Sequence, residues 1–477
     1  MPPSTSTPGR IQPSTYASLG VRPVINASGT YTVWSGSRML DVAVQAMVEA
    51  TNGYVRIAEL MEAIGARLAE ITGAEWGYIT SSCAAAINQI TAAAMAGGDP
   101  EKAARLPDTA GMPNEVIQEA CIRSGYEPCI RIAGGRVVTV DTETELRAAI
   151  GPRTALVFID GDAEARSRIT PQRLIAIARE HGIPTFVDAA AQRLTRPNRY
   201  LEMGADAVAY SGGKCLRGPQ ASGLMLGRKD LLRAAFLHAS PHGGQGRAMK
   251  VGKEEAMALL AAVEAFLLGR DHDAEWQMWE GYLETIRRAV ADLPTVRTEY
   301  QMPGVANVTP YLNITWDAAA LQVTPQQVYT SLLEGEPRVL VSQRNDGLQI
   351  NPYMMEDGED RIVAQRLRAV LSTPAPPPAG APAEAPAVDI TGEWRVELQF
   401  VYGKAVHTLR AEQRDAAVEG SYRTPYQQRP LRGRVSGRQV TLHGLYTLTG
   451  TVDGEAMGGT AHVGQEWPAT WSARREG

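Results

Sequence analysis

The apolar positions of this chain change period once, near residue 389. Before that point, short β-branched runs alternate with amphipathic stretches, the pattern of an α/β fold. RVVTV (136–140), TALVFID (154–160), PTFVDAA (184–190) and DAVAYSG (206–212) read as strands. Between them, Thr170 to His181 predicts a helix, with Pro171 suited to its first turn and Gly182 to its stop. Strand, helix, strand at this spacing implies parallel strands joined by right-handed crossovers. EEAMALLAAVEAFLL (254–268) predicts a helix that leads into a long one through Ala291. A strand in VTPYLNITW and a helix from Thr324 follow, which predicts a smaller lobe packed on the main sheet. After Asp389 apolar and polar residues alternate, and glycine-containing turns recur about every ten residues. That alternation predicts an antiparallel meander closed as a small barrel or sandwich.

The two regimes are separated by TPAPPPAGAPAEAPAV, a Pro/Ala-rich spacer with almost no apolar bulk. Four parts follow: an N-terminal segment and large domain (1–290), a small α+β lobe (291–372), the spacer (373–388) and the β module (389–477). The β module reads as a stability or oligomerisation unit, or as a lipocalin-like ligand or partner site. The 477 residues, 44% hydrophobic and 21% charged, suffice for a sizeable core and exclude disorder for most of the chain. A net charge of −5 excludes a general nucleic-acid surface. No apolar run is long enough to span a membrane, and Met1 to Gln12 lacks the apolar core of a signal peptide. Cys83, Cys121, Cys129 and Cys215 show no zinc-ligand spacing. The expectation is a reduced, cytoplasmic protein without a structural metal.

Candidate chemistry concentrates in AYSGGKCLRGPQASGLMLG (209–227), where Lys214 follows Ser-Gly-Gly after an apolar strand. Gly212 and Gly213 permit a sharp turn, which would aim Lys214 into the cleft at the strand ends. There a lysine amine is a nucleophile suited to an imine with a carbonyl; alone, the same residues also read as a solvated turn. Asp188 ends the strand PTFVD one βαβ unit earlier, so the two side chains can meet above adjacent strands. Pyridoxal phosphate requires such a pair: the lysine binds the aldehyde carbon, and a carboxylate keeps the ring nitrogen protonated. A third part is Tyr78 to Cys83, a strand leading into the helix former AAAINQITAAAMA. Hydroxyls and free N–H groups at that helix start make a phosphate seat, compatible with ordinary serine capping, and Ser211 and Gly212 would complete it.

The order TSSCAAA, VDAAAQ, SGGKCLRGPQASG and GRAMKVGKEE (246–255) resembles the fold type I pyridoxal-phosphate enzymes, which have the aspartate aminotransferase-like fold. Within them it is similar to the selenocysteine synthase and D-glucosaminate-6-phosphate ammonia-lyase group. VRPVINASGTYT (21–32) and LPDTAGMPNEV (106–116) fit the ammonia-lyase side, and the resemblance spans roughly 15–370. It implies that Lys214 binds the cofactor, that Asp188 partners the pyridine nitrogen, and that Ser81, Ser82, Cys83 and Ser211 hold the phosphate. Gln192 would face the ring or its phenolic oxygen, and Arg217 the phosphate or a substrate anion. Arg247, Lys250 and Lys253 would serve an anionic substrate or the neighbouring subunit's cofactor. The family's ring-stacking aromatic or histidine has no counterpart in EACIRSGYEPCI (119–130), which leaves Cys121, Arg123 or a group from elsewhere. Arg338, or alternatively Arg344, stands where the family commonly binds the substrate carboxylate.

These readings predict a lyase acting on a small, anionic or sugar-derived amino acid, working as a homodimer or higher homo-oligomer. Racemase or aldolase activity would use the same residues. A selenocysteine-synthase-like transferase acting on aminoacyl-tRNA is disfavoured by the net charge and by the lack of a basic RNA-binding domain. A non-catalytic scaffold is disfavoured by the intact lysine and aspartate.

Overall fold

In this computed structural model the chain forms two compact units, Met1–Pro374 and Ala375–Gly477. The structure describes residues 14–122, 125–306, 308–373, 384–464 and 467–476. Met1 to Gln12, Arg123 and most of the Pro/Ala-rich spacer lie outside the described residues.

Twelve strands belong to the first unit. In chain order they are β1 (Ile25–Ala27), β2 (Trp76–Thr80), β3 (Glu115–Glu119), β4 (Arg136–Val140), β5 (Thr154–Asp160) and β6 (Thr185–Asp188). Then come β7 (Ala207–Ser211), β8 (Gly223–Gly227), β9 (Arg297–Gln301), β10 (Tyr311–Thr315), β11 (Val339–Arg344) and β12 (Gly347–Ile350). Seven of them form the main sheet in the order β2-β8-β7-β6-β5-β3-β4. The four strands expected from the sequence are β4, β5, β6 and β7, and the pairings β5–β6 and β6–β7 are parallel. β8, in the apolar run GLMLG, is antiparallel to both of its neighbours. It can enter because Gly223 lets the backbone pass the start of the Cys83–Ala96 helix: a Cβ there would lie 2.5 Å from the Ser82 carbonyl carbon.

The Cys83–Ala96 helix is buried on nearly every face and packs on β2, β5, β6, β7 and β8. Its alanine-rich surface permits that close approach, as expected of a helix apolar all round. Pro171–Glu180 forms the anticipated helix, capped by Thr170 and followed by Gly182 with a positive φ of 68°.

The long helix expected through Ala291 is broken. A π turn at Ala265–Gly269 ends the first segment, and Asp271 caps a second helix, His272–Val290, by accepting from the Ala274 N–H. Arg270 sits at the break and pairs with Glu275 through both guanidinium edges, at 2.7 and 3.0 Å.

The small lobe carries a five-stranded sheet, β1-β11-β12-β10-β9. β1 comes from the N-terminal segment and pairs in parallel with β11, Ile25 opposite Val339. A lobe boundary at residue 290 therefore leaves out one edge strand, because that strand's partner lies more than 300 residues along the chain.

The second unit is a closed barrel of eight antiparallel strands. These are β13 (Gly392–Phe400), β14 (Lys404–Arg414), β15 (Ala417–Arg423), β16 (Gln428–Ser436), β17 (Gln439–His443), β18 (Thr447–Asp453), β19 (Ala456–His462) and β20 (Pro468–Glu476). Each strand pairs with the next in sequence, and β20 returns to β13. The inward positions are packed with Trp394, Leu409, Tyr422, Leu442 and Trp471. Trp394 is anchored by its Nε1–H to the Ile390 carbonyl at 2.9 Å, with the Arg475 guanidinium over its ring. The interior is a side-chain core, as an eight-stranded barrel permits.

Candidate active site

Asp188 ends β6 and Ser211 ends β7, so both stand on the carboxyl edge of the main sheet. Lys214 lies three residues past Ser211 in a turn held from several sides. The Gly212 N–H donates to Ser222 O at 2.9 Å, and the Gly218 N–H to Gly212 O at 2.8 Å. Gly212 is required here, because a Cβ would fall 1.9 Å from Ser222 Oγ. On the far side the Ser37 N–H donates to Gly213 O at 3.0 Å. The carbonyl of Cys215, next to Lys214, accepts from Tyr353 Oη at 2.6 Å and from Arg270 at 3.1 Å. The lysine turn is therefore clamped by residues from three distant parts of the chain.

Asp188 is buried, and its Oδ1 accepts from the Ala190 N–H at 3.2 Å. Burial pushes its carboxyl up to about 7, and the charges of Asp162 and Asp160 push the same way while Lys214 opposes them. A buried carboxylate among like charges calls for a cation. The protonated nitrogen of a pyridinium ring supplies one, so the residues present fit pyridoxal phosphate.

Asp162 went unnoticed in the sequence. It follows β5 in a short 3-10 turn, Gly161–Arg166, and its Oδ2 accepts from the Ala191 N–H at 2.9 Å. Burial raises its carboxyl to about 6, with Lys214 opposing. Its Oδ1 and the Nε2 of Gln192 are both buried, and the Gln192 amide beside the Asp162 carboxyl works against the upward shift. Gln192 is fixed by Tyr200, whose Oη donates to Gln192 Oε1 at 3.1 Å. The only local sign of Asp162 was a second aspartate just beyond the strand VFID.

The residues expected to hold a phosphate stand at a helix start and a strand end. Ser82 caps the Cys83–Ala96 helix, its Oγ accepting from the Ala85 N–H at 3.0 Å. Ser81 is half-buried beside it, and Ser211 is half-buried at the end of β7. The Cys83 thiol is buried and raised well above its ordinary value, first by burial and next by the charge of Asp188. Its side chain thus faces the carboxylate. Cys129, on the Glu127–Ile132 helix, is likewise raised by burial and by Asp188. Cys121 instead stands in the turn after β3, its Sγ 3.9 Å from Glu119 Oε1.

The basic candidates scatter. Arg217 adopts a positive φ of 56°, and its Nε donates to Arg38 O at 3.1 Å, with Glu356 at 3.9 Å. Arg247 is exposed and donates to Ser240 Oγ at 2.7 Å, and Lys250 is exposed nearby. Lys253 hydrogen-bonds the Ala50 carbonyl and Glu254, which occupies it as a structural tie. Arg338 donates to Leu333 O at 2.7 Å and to Arg22 O at 3.3 Å. Its guanidinium closes the end of the Pro325–Glu334 helix, and these bonds go to main chain rather than to the cleft. Arg344 is exposed at the end of β11.

A cavity of about 480 Å³, lined by Gly73, Pro184, Gly204, Asp206 and Arg228, lies at the opposite edge of the sheet, where β6 and β7 begin. Volume alone would therefore point away from Lys214. Among the described residues no group of three or more His, Cys, Asp or Glu side chains is arranged to hold a metal.

A lysine and a buried carboxylate on adjacent strand ends, beside a capped helix start, define a pyridoxal-phosphate-dependent enzyme. Residues 11–239 match the family described as Cys/Met metabolism PLP-dependent enzyme. The chain is 30% identical over 372 residues to the D-glucosaminate-6-phosphate ammonia lyase of Salmonella typhimurium (strain 14028s / SGSC 2262), covering 75% of this chain and 98% of that protein. It is 31% identical over 373 residues to a 5'-C-glycyluridine monooxygenase-decarboxylase of Streptomyces sp, covering 75% and 92%. A solved structure of D-glucosaminate-6-phosphate ammonia-lyase superposes with a TM-score of 0.66 at 28% identity, covering 76% of this chain and 99% of that one. The chain belongs to the family of fold type I pyridoxal-phosphate-dependent enzymes that includes D-glucosaminate-6-phosphate ammonia lyase.

Proposed function

We propose that the protein is a lyase that eliminates a leaving group from Cβ of a small, anionic or sugar-derived amino acid and releases ammonia. The observation that carries this reading is the similarity to the ammonia lyase over 98% of that protein's length, with Asp188 at the end of one strand and Lys214 in the turn after its neighbour. The ammonia lyase acts on a phosphorylated amino sugar acid, and a related anionic substrate suits this chain.

Bound pyridoxal phosphate supplies an electron-accepting ring that takes up charge released at the substrate's Cα. Lys214 would hold the cofactor through its amine and, once free, would move a proton at the substrate's Cα. Asp188 keeps the ring nitrogen protonated. The N–H groups at the start of the Cys83–Ala96 helix, with Ser81, Ser82 and Ser211, hold the phosphate. The Gln192 amide and Asp162 face the cofactor's polar edge. Loss of the leaving group gives an enamine, which water converts to a keto acid and ammonia.

A second reading has a specific basis. The 31% identical relative is named a monooxygenase-decarboxylase, so this fold also breaks the bond to the carboxylate. Which bond breaks depends on which one the substrate-binding groups hold perpendicular to the ring. Racemase and aldolase outcomes differ in the same way. Incubation with D- and L-amino acids and amino sugar acids, with and without oxygen, separates them. Keto acid plus ammonia without oxygen supports the lyase, and oxygen-dependent CO₂ release or deuterium exchange without net loss overturns it.

The assembly is proposed as at least a homodimer. The Asp41–Thr51 helix leaves Val42, Val44 and Val48 exposed, and Tyr54 just beyond it is fully exposed, an apolar face suited to a second copy. Arg247 and Lys250, free of ion pairs among the described residues, then serve an anion at the adjoining site. Among the described residues no helix is long and apolar enough to cross a membrane, and we infer a cytoplasmic enzyme.

A further inference from the structure

The barrel has two unlike ends. In an up-and-down barrel successive turns alternate between ends, so the β13–β14, β15–β16, β17–β18 and β19–β20 turns share one of them. The other end holds the short turns at Asp415, Gly437 and Gly454, together with the chain's entry and exit. Every exposed large hydrophobic residue described in this unit lies at the first end: Val401, Tyr402, Val406, Tyr426 and Trp467. Tyr402 and Tyr426 are 96% and 94% exposed, and Trp467 is 60% exposed. Three aromatic rings held in water at three separate turn tips do not arise from packing, because the core inside is already filled.

A cleft of about 450 Å³ opens beside Trp467, lined by Thr447, Thr449, Thr460, His462 and Pro468. That is the size of a small-molecule site. None of its described lining residues carries a carboxylate, ammonium or guanidinium group. The indole has a built seat: it packs over Gly464, where a Cβ would press on its Cε3 at 3.3 Å. The floor is also fixed. Thr449 and Thr460 share a hydroxyl hydrogen bond at 2.8 Å, and Trp471 donates from inside the barrel to Thr449 O at 3.1 Å. Thr447 is held by His443 Nδ1 at 3.2 Å.

We propose that this end of the barrel binds a neutral carbohydrate chain, with Trp467 as the stacking platform and Tyr402 and Tyr426 as outlying ones. A pyranose ring presents C–H groups on one face and hydroxyls around its edge. An exposed indole meets the face, and threonine hydroxyls and an imidazole exchange hydrogen bonds with the edge. A lipid surface would call for basic residues around the stacking platform; none of the described residues lining the cleft is basic, and Lys404, Arg423 and Arg429 stand only near the outlying tyrosines. A protein partner would call for one contiguous apolar patch, whereas here the rings stand on three separate turns. The proposal is independent of the reaction assigned to Lys214.

The full-length holoenzyme is run in native gels cast with laminarin, soluble starch, hydroxyethylcellulose or glycol chitin. Retardation is expected in at least one of them. Trp467→Ala should weaken it at least tenfold, and Tyr402→Ala with Tyr426→Ala should weaken it further, with turnover and thermal unfolding unchanged. No retardation in any of the four polysaccharides overturns the proposal, as does retardation that survives Trp467→Ala. If Trp467→Ala instead abolishes binding to phosphatidylglycerol vesicles, or self-association in sedimentation, the surface belongs to a membrane or to a second copy and the proposal falls.

Discussion

Asp160 and Asp188 end neighbouring parallel strands directly opposite one another, in register. Asp162 follows two residues later and faces the same edge, so three carboxylates share one part-buried strip beside a single lysine. Burial raises all three above the ordinary carboxylate range, and repulsion from neighbouring carboxylates adds to it at Asp162 and Asp188. The edge thus has too little positive charge of its own, which suits the protonated pyridine ring proposed to sit beside it.

Asp188 binds its proton more tightly in the folded cofactor-free protein than in the unfolded chain. Its contribution to stability is therefore fully present below about pH 4 and is lost as pH rises through about 7. The cofactor-free protein should become less stable across that window, by a few kcal/mol on the order of the linkage estimate. Asp188→Asn should flatten this dependence in urea melts and raise cofactor-free stability at pH 7.5, while most turnover is lost. A variant with the same pH slope and full activity would remove Asp188 from its proposed role.

Asp162→Asn tests the second carboxylate. The charged form of the Lys214–cofactor linkage loses a nearby anion, so its absorbance titration should move to lower pH. The groups facing Asp162 are Asp160, Asp188, Lys214 and Gln192, and all of them remain in the variant. In the cofactor-free protein the Asp188 carboxyl should also titrate lower, as followed by carbon NMR of its carboxyl group. A titration unmoved in both forms excludes Asp162 from the site.

Gly212→Ala tests the lysine turn. The added methyl group would lie 1.9 Å from Ser222 Oγ, and that hydroxyl is tied to Pro219 O at 2.6 Å. The turn must shift, so cofactor fixed on the protein by borohydride should fall at least tenfold while the fold is kept. Adding Ser222→Gly should restore part of it. Lys214→Ala should fix none.

Trp394→Ala tests the barrel core. Removing a fully buried indole typically costs about 3–5 kcal/mol. Limited proteolysis should then cut within 392–476 well before the first unit, and turnover should persist. Loss of turnover in step with barrel cleavage would show that the barrel supports catalysis.

Much of this arrangement was legible in the sequence where the signal is local. A period of two with glycine turns specifies an antiparallel barrel because each hairpin closes on its neighbour. Lys214 and Asp188 stood out because a Gly-Gly turn after a strand and an acid at a strand end each carry their chemistry with them. Arg338 and Lys253 show the limit. Each is a cation in a suggestive setting, yet their partners, Arg22 O and Ala50 O, are hundreds of residues away.

The sequence by itself determined the fold class, the lysine and carboxylate proposed for the cofactor, and the barrel, because periodicity and turn chemistry act over a few residues. Tertiary structure alone decided which further groups reach the site: Asp162, the thiol of Cys129, and the grip of Tyr353 and Arg270 on Cys215. These depend on strand order and register, which place residues side by side at no fixed sequence separation. Which carbonyls claim which arginines depends on the same packing, since a guanidinium donates to whatever acceptor the completed fold brings within reach.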